Sequence, residues 1–105
     1  MKLFTKPIEA KLLANSKLPK RPDGFVPVVK FFTPFGGATW LITDMDEDGY
    51  MFGLCDMGMG CPEMGDVHRS EFENAGIRIE RDMYWSTDKT IGELAREAKA
   101  AGGIR

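Results

Sequence analysis

The spacing of apolar residues changes several times along the chain, and each change predicts an element. Over residues 6–16, Ile8, Leu12 and Leu13 gather on one side while Lys6 and Lys11 fall elsewhere, the period of a short helix. Thr5 stands where a cap is needed, and Pro7 lies in the first turn, which tolerates a missing N–H. Asn15 to Gly24 combines Asn, Ser, two prolines, Asp and Gly and reads as a loop. Phe25–Phe32 is rich in β-branched and aromatic residues, a first strand that Pro27 confines to an edge or to the residues after it. Thr33–Gly37 is turn chemistry, and Ala38–Thr43 is a second strand. Asp46–Gly49 is a second turn and Tyr50–Cys55 a third strand, so the three strands predict an antiparallel meander. Residues 56–66 place Gly58, Gly60, Gly65 and Pro62 among Met57, Met59 and Met64, which predicts a loop.

The last third returns to helical spacing. Ser70 with Glu73 three residues on matches a capping box, and the short helix it opens is expected to stop at Gly76. Ile77–Arg81 alternates apolar and charged positions as a half-buried strand does, with Met83, Tyr84 and Trp85 as a candidate continuation. Thr90 and Glu93 form a second capping box. Ile91, Leu94, Ala95 and Ala98 then share one helical face, and Gly102–Gly103 ends the run. The fold class this predicts is α+β: a small antiparallel meander with a C-terminal helix and short helices packed on it. With 105 residues, no repeat and no low-complexity tract, residues 1–105 read as a single domain.

Composition narrows the picture. A hydrophobic fraction of 43% with 29% charged residues is that of a globular chain, large enough to bury a core without disulfide or metal. The longest apolar runs are strand-sized, so no membrane span is expected. The N-terminal stretch Met1–Pro7 lacks the apolar run and cleavage site of a signal peptide, which makes the cytoplasm the default location. Two cysteines without an export signal, Cys55 and Cys61, are expected as thiols, Cys55 buried near a strand end. Net charge is −2, but its distribution is uneven. Residues 1–30 carry seven Lys or Arg against Glu9 and Asp23, and residues 31–68 carry seven acids and no Lys or Arg. A basic and an acidic patch can follow, unless folding mixes them into an ordinary solvated surface.

Several constellations have chemical meaning, and each has a plainer alternative. Asp44, Asp46 and Asp48 before Gly49 resemble the first half of a calcium loop, but Cys55 stands where the bidentate Glu is required, so an acidic hairpin turn is the simpler reading. Cys55, Cys61 and His68 are zinc-type ligands at a spacing zinc sites do not commonly use. Met57, Met59, Cys61 and Met64 could ligate copper(I), but methionine at leucine-like positions is more simply core filler. Asp44, Asp46, Asp48, Asp56 and Glu63 supply carboxylates for a metal-dependent nuclease, or a solvated acidic rim that docks a partner. His68 is the one histidine, and no nucleophile elbow or phosphate loop is present. Lys17, Lys20, Arg21 and Lys30 could meet phosphates, with Phe31, Phe35 or Trp40 stacking on bases, though strand aromatics are more simply core.

The ordered blocks Leu12-Leu13-Ala14-Asn15, Pro27-Val28-Val29-Lys30, Phe32-Thr33-Pro34 and Gly37-Ala38-Thr39-Trp40-Leu41 carry a resemblance. Phe52-Gly53-Leu54-Cys55-Asp56, Gly60-Cys61-Pro62-Glu63 and Ile79-Glu80-Arg81-Asp82 complete it. Over nearly its whole length the chain resembles the family catalogued as domain of unknown function 2958. The resemblance implies a small bacterial protein of plasmids, phages and other mobile elements, a group sometimes labelled single-stranded DNA endonucleases without a catalytic motif to carry the label. This chain departs from the family pattern at residues 65–70 and at Met45, Met57, Met64 and Met83, where leucine is usual. The expected function is a non-enzymatic binding or regulatory protein acting on a host or element macromolecule, possessing no cofactor or catalytic residue, and able to act in counter-defence through its acids. The alternative is a metal-dependent nuclease or binding protein for single-stranded DNA.

Overall fold

A computed structural model describes residues 2–74, 76 and 78–105. Among these the chain forms three helices and one five-stranded sheet: α1 (Lys6–Ser16), β1 (Val29–Phe32), β2 (Thr39–Met45), β3 (Tyr50–Asp56), β4 (Glu63–His68), α2 (Arg69–Glu73), β5 (Glu80–Arg81) and α3 (Ile91–Ala101). Every strand pairing is antiparallel, in the order β4-β3-β2-β1-β5. The α+β meander read from the sequence is therefore present, lengthened by one strand at each edge.

The two faces bury different clusters. Leu12, Val29, Phe31, Trp40, Ile42, Met45, Met51 and Phe72 form the larger core, beneath α1 and α2. Phe31, with no exposed surface, meets Phe4 and Phe72 at ring-centroid distances of 5.3 and 5.1 Å. On the opposite face Leu41 and Leu54 are covered by Ile91, Ala95 and Ala98 of α3. The residues expected to share one face of the last helix thus do so, and Thr90 caps it with Glu93 as the returning partner.

β2 outlasts β1. Val29 pairs with Ile42, after which the β2–β3 register shifts across Thr43. The carbonyl of Thr43 lies at this irregularity, outside the regular ladder pairs. The buried Asn15 side chain at the end of α1 supplies the missing donor, Nδ2 to oxygen at 2.9 Å. A buried carbonyl left without a donor is costly, so this bond fixes where α1 sits on the sheet.

Four expectations are corrected. The loop read over 56–66 gives way to β4 from Glu63, because an exposed edge strand is held by backbone bonds to β3 and needs no apolar alternation. The cap of α2 is His68, not Ser70, with Glu71 rather than Glu73 closing the box, since β4 runs directly into the helix. That helix is capped at Asn74, short of Gly76. The strand read over Ile77–Arg81 is confined to Glu80–Arg81, with Ile77 outside the described residues. Met83 and Tyr84 turn away, because Asp82 N donates to the Lys30 carbonyl and Trp85 N then closes back on Asp82. β1 begins at Val29, after Pro27 as expected, and β2 runs to Met45, two residues past the predicted end.

Candidate functional site

The hairpin joining β2 to β3 occupies one end of the sheet. Asp46 Oδ1 accepts from the backbone N–H of Asp48 at 3.0 Å and of Tyr50 at 2.9 Å, so this carboxylate builds the turn. Asp48 presents its backbone carbonyl to His68 Nε2 at 2.6 Å. His68 Nδ1 accepts from Ser70 N at 3.1 Å, which makes Nε2 the protonated nitrogen. Both ring nitrogens are therefore engaged, one capping α2 and the other holding the hairpin. Asp44 lies two residues back, facing the α3 side beside Phe52, and accepts from the Thr43 hydroxyl at 2.5 Å.

The other sequence candidates lie elsewhere. Cys55 pairs with Glu63 at one end of the β3–β4 ladder and Tyr50 with His68 at the other, about 17 Å away at the usual strand rise. Cys55 is partly buried, and burial pushes its thiol up from the usual range, reinforced by the Asp66 and Glu71 carboxylates. Such a thiol is a poor nucleophile and a poor ligand at neutral pH. Among the described residues, no three His, Cys, Asp or Glu side chains gather where they could share a metal ion. Asp56 does not join an acidic rim. It is 5% exposed, and its two oxygens accept from Gly58 N and Ile104 N at 2.8 Å each, tying the C-terminal segment to β3. The basic set is split too. Lys17 pairs with Glu47 and Arg21 lies over the Phe25 ring, whereas Lys30 lines a separate groove with Phe32 and Asp82.

The far end of the sheet differs from the sequence expectation. The loop after β1 and the loop after β3 meet there, with Gly58 facing the backbone of Gly37. A Cβ at Gly58 would lie 3.0 Å from Gly37 Cα, and its φ of +80° already favours glycine. This contact leaves Phe35 88%, Met57 55% and Met59 80% exposed. Met57, Met59 and Met64 are therefore not core filler as the sequence suggested, and Met64 is exposed as well. Cys61 is exposed in the same loop. The signal was available: each of Met57 and Met59 is followed by glycine, with no apolar period to bury them.

Residues 3–105 match the family described as "Protein of unknown function (DUF2958)". The chain belongs to the DUF2958 family. No curated protein and no solved structure matches it. The matched DUF2958 span takes in both ends of the sheet, the Asn15 anchor and α3. No described helix is long and apolar enough to cross a membrane.

Within this DUF2958 chain a groove of about 420 Å³ lies on the α3 side of the sheet. Phe52, Asp44, Asp66 and Met64 form its floor, and the loop from Leu18 to Phe25 forms its wall. Asp23 holds that wall to α3. Arg96 donates to its two oxygens at 2.9 and 3.1 Å, and the Thr90 hydroxyl donates as well. The Arg96 bonds first, and Thr90 second, hold the Asp23 carboxyl at about 2, below its ordinary 3.8. A carboxyl lowered in the folded state adds stability above its unfolded value and loses it as pH falls through the folded one. Backbone shifts of the folded protein at Ile91 and Gly92 are therefore expected to titrate with a midpoint at about pH 2, below the ordinary carboxylate range, and Asp23→Asn to abolish the step. A profile identical in both proteins would remove this assignment.

Proposed function

We propose that the protein is a non-catalytic binding protein, and that it engages a partner protein through the end of the sheet where Phe35, Met57 and Met59 project. The observation that carries this reading is the simultaneous exposure of these three large apolar side chains on two loops braced against each other. Scattered single apolar residues are ordinary on a surface, but a contiguous group is a mark of an interaction site. Phenylalanine and methionine are among the residues enriched at such interfaces. Methionine also adapts its shape to a partner at little conformational cost. The dispersal of the carboxylates and of His68 supports binding over hydrolysis, since a metal-dependent nuclease needs its acids on one ion. The resemblance to proteins of mobile elements favours a host or element macromolecule as partner, with counter-defence among its uses.

Site-specific photo-crosslinking in cells tests this. A photoreactive residue at position 35 or 59 is expected to trap one defined protein, while the same residue at exposed Tyr84 traps none. Phe35→Ser with Met59→Ser should weaken binding of the trapped protein at least tenfold, about 1.4 kcal/mol. Equal labelling from all three positions would sink the proposal.

A further inference from the structure

We infer that β4 is a docking edge for an extended, basic segment of a partner protein, which joins the sheet as an additional antiparallel or parallel strand beyond β4. This rests on the binding reading above and specifies how the partner is held. The two edges of the sheet differ. β5 is two residues long and the chain turns away after it, which blunts that edge. β4 runs for six residues in unbroken register with β3, and three of them, Glu63, Met64 and Asp66, are exposed. It contains no Lys, no Pro and no bulge, the devices that commonly keep an edge from pairing. At Gly65 the space a Cβ would take is open. Alternate N–H and C=O groups of an edge strand point outward and can pair with a new strand.

The charge selects the occupant. Glu63 and Asp66 point to opposite faces of β4, and neither has a hydrogen bond or ion pair among the described residues. Asp66 ends a cross-strand row with Phe52 and Asp44 on the α3 face. A Lys or Arg on the added strand opposite Asp66 would meet its carboxylate at cross-strand distance, and one on the other face would meet Glu63. A second copy of this chain fits poorly. Antiparallel pairing centred on Asp66 sets two carboxylates directly opposite, and any pairing of two β4 strands gathers both copies' Glu63 and Asp66 without a Lys or Arg to offset them. The loop bearing Met57 and Met59 leads directly into Glu63, so the edge begins where the apolar end stops along the chain.

The test is selection of displayed random decapeptides on the full chain. Enriched peptides are expected to carry two Lys or Arg three positions apart, one for each face of the added strand. Their binding should fall at least tenfold in a Glu63→Arg, Asp66→Arg variant, and N-methylation of alternate peptide amides should abolish it. Amides of β4 should gain exchange protection in the complex. Both substituted side chains are exposed, and circular dichroism will verify that the variant folds. Peptides lost with Phe35→Ser and Met59→Ser but indifferent to the charge reversal and to N-methylation would overturn the edge assignment and leave the apolar-end reading standing. Failure to enrich any peptide, or dimerisation through β4 in light scattering, would overturn it as well.

Discussion

Gly53→Ala is expected to lower stability by about 3 kcal/mol or more, among the largest effects any single methyl group can have in this protein. Gly53 lies in β3 opposite Ile42, at the point where the β2–β3 register shifts across Thr43. The β2 backbone approaches so closely there that an added Cβ would land on the Leu41 carbonyl oxygen and within 2.9 Å of Ile42 Cα. Both obstacles are main chain of a central strand, so no rotamer change relieves them. The sheet must open between its two central strands, where the cores on both faces are anchored. With total stabilities of about 5–15 kcal/mol for domains, much of the margin disappears. For a chain of this size the melting temperature should fall by about 15 °C or more. A thermal melt within a few degrees of the parent would show that the strands separate here without consequence.

Phe31→Ala is the second large effect, and its cause is loss rather than excess. The ring is completely buried and packs between Phe4, tilted at 56°, and Phe72, edge-on at 81°, while Phe72 reaches on to Trp40 at 4.8 Å. Truncation removes the apolar transfer energy and leaves a cavity that three other rings cannot close, for about 3–5 kcal/mol. Part of this is specific to aromatic contact, since each ring pair contributes about 0.5–1.5 kcal/mol beyond area. Phe31→Leu should therefore recover most but not all of the loss in urea denaturation. If leucine restored the parental midpoint, the ring contacts would have no separate value.

The elements legible in the sequence were those whose signals are local. Thr5, Thr90 with Glu93, and Gly102 fix helix ends through bonds spanning a few residues, and α1 and α3 lie within the expected bounds. The Asp46–Gly49 turn was equally local. β4 was hidden because Met64, Gly65 and Asp66 owe their strand conformation to β3, and nothing in their own spacing records that debt. The His68 cap was missed for a related reason. Histidine is not among the residues favoured for the task, and its second nitrogen is satisfied by Asp48, twenty residues away. For the candidate site, the sequence placed the acids in one segment, and the seven-residue β3 then carried Asp46 and Asp56 to opposite ends of the sheet. The exposure of Met57 and Met59 follows from the meeting of Gly37 and Gly58, a contact between two loops that no single window contains.

The pairing of Phe31 with Arg81 and of Phe32 with Glu80 spans about fifty residues, whereas β1 through β4 close by short turns. Local ladders form quickly and long-range ones wait for loop closure. On the ribosome the first four strands emerge and can zip together while β5 and α3 are still unmade. Until they arrive, the outer edge of β1 and the Leu41–Leu54 surface stay open, so the nascent chain passes through a stage with two sticky margins. Leu41 and Leu54 are covered and β1 is shielded only once α3 and β5 dock, and among the described residues β4 alone keeps a full-length exposed edge in the finished fold.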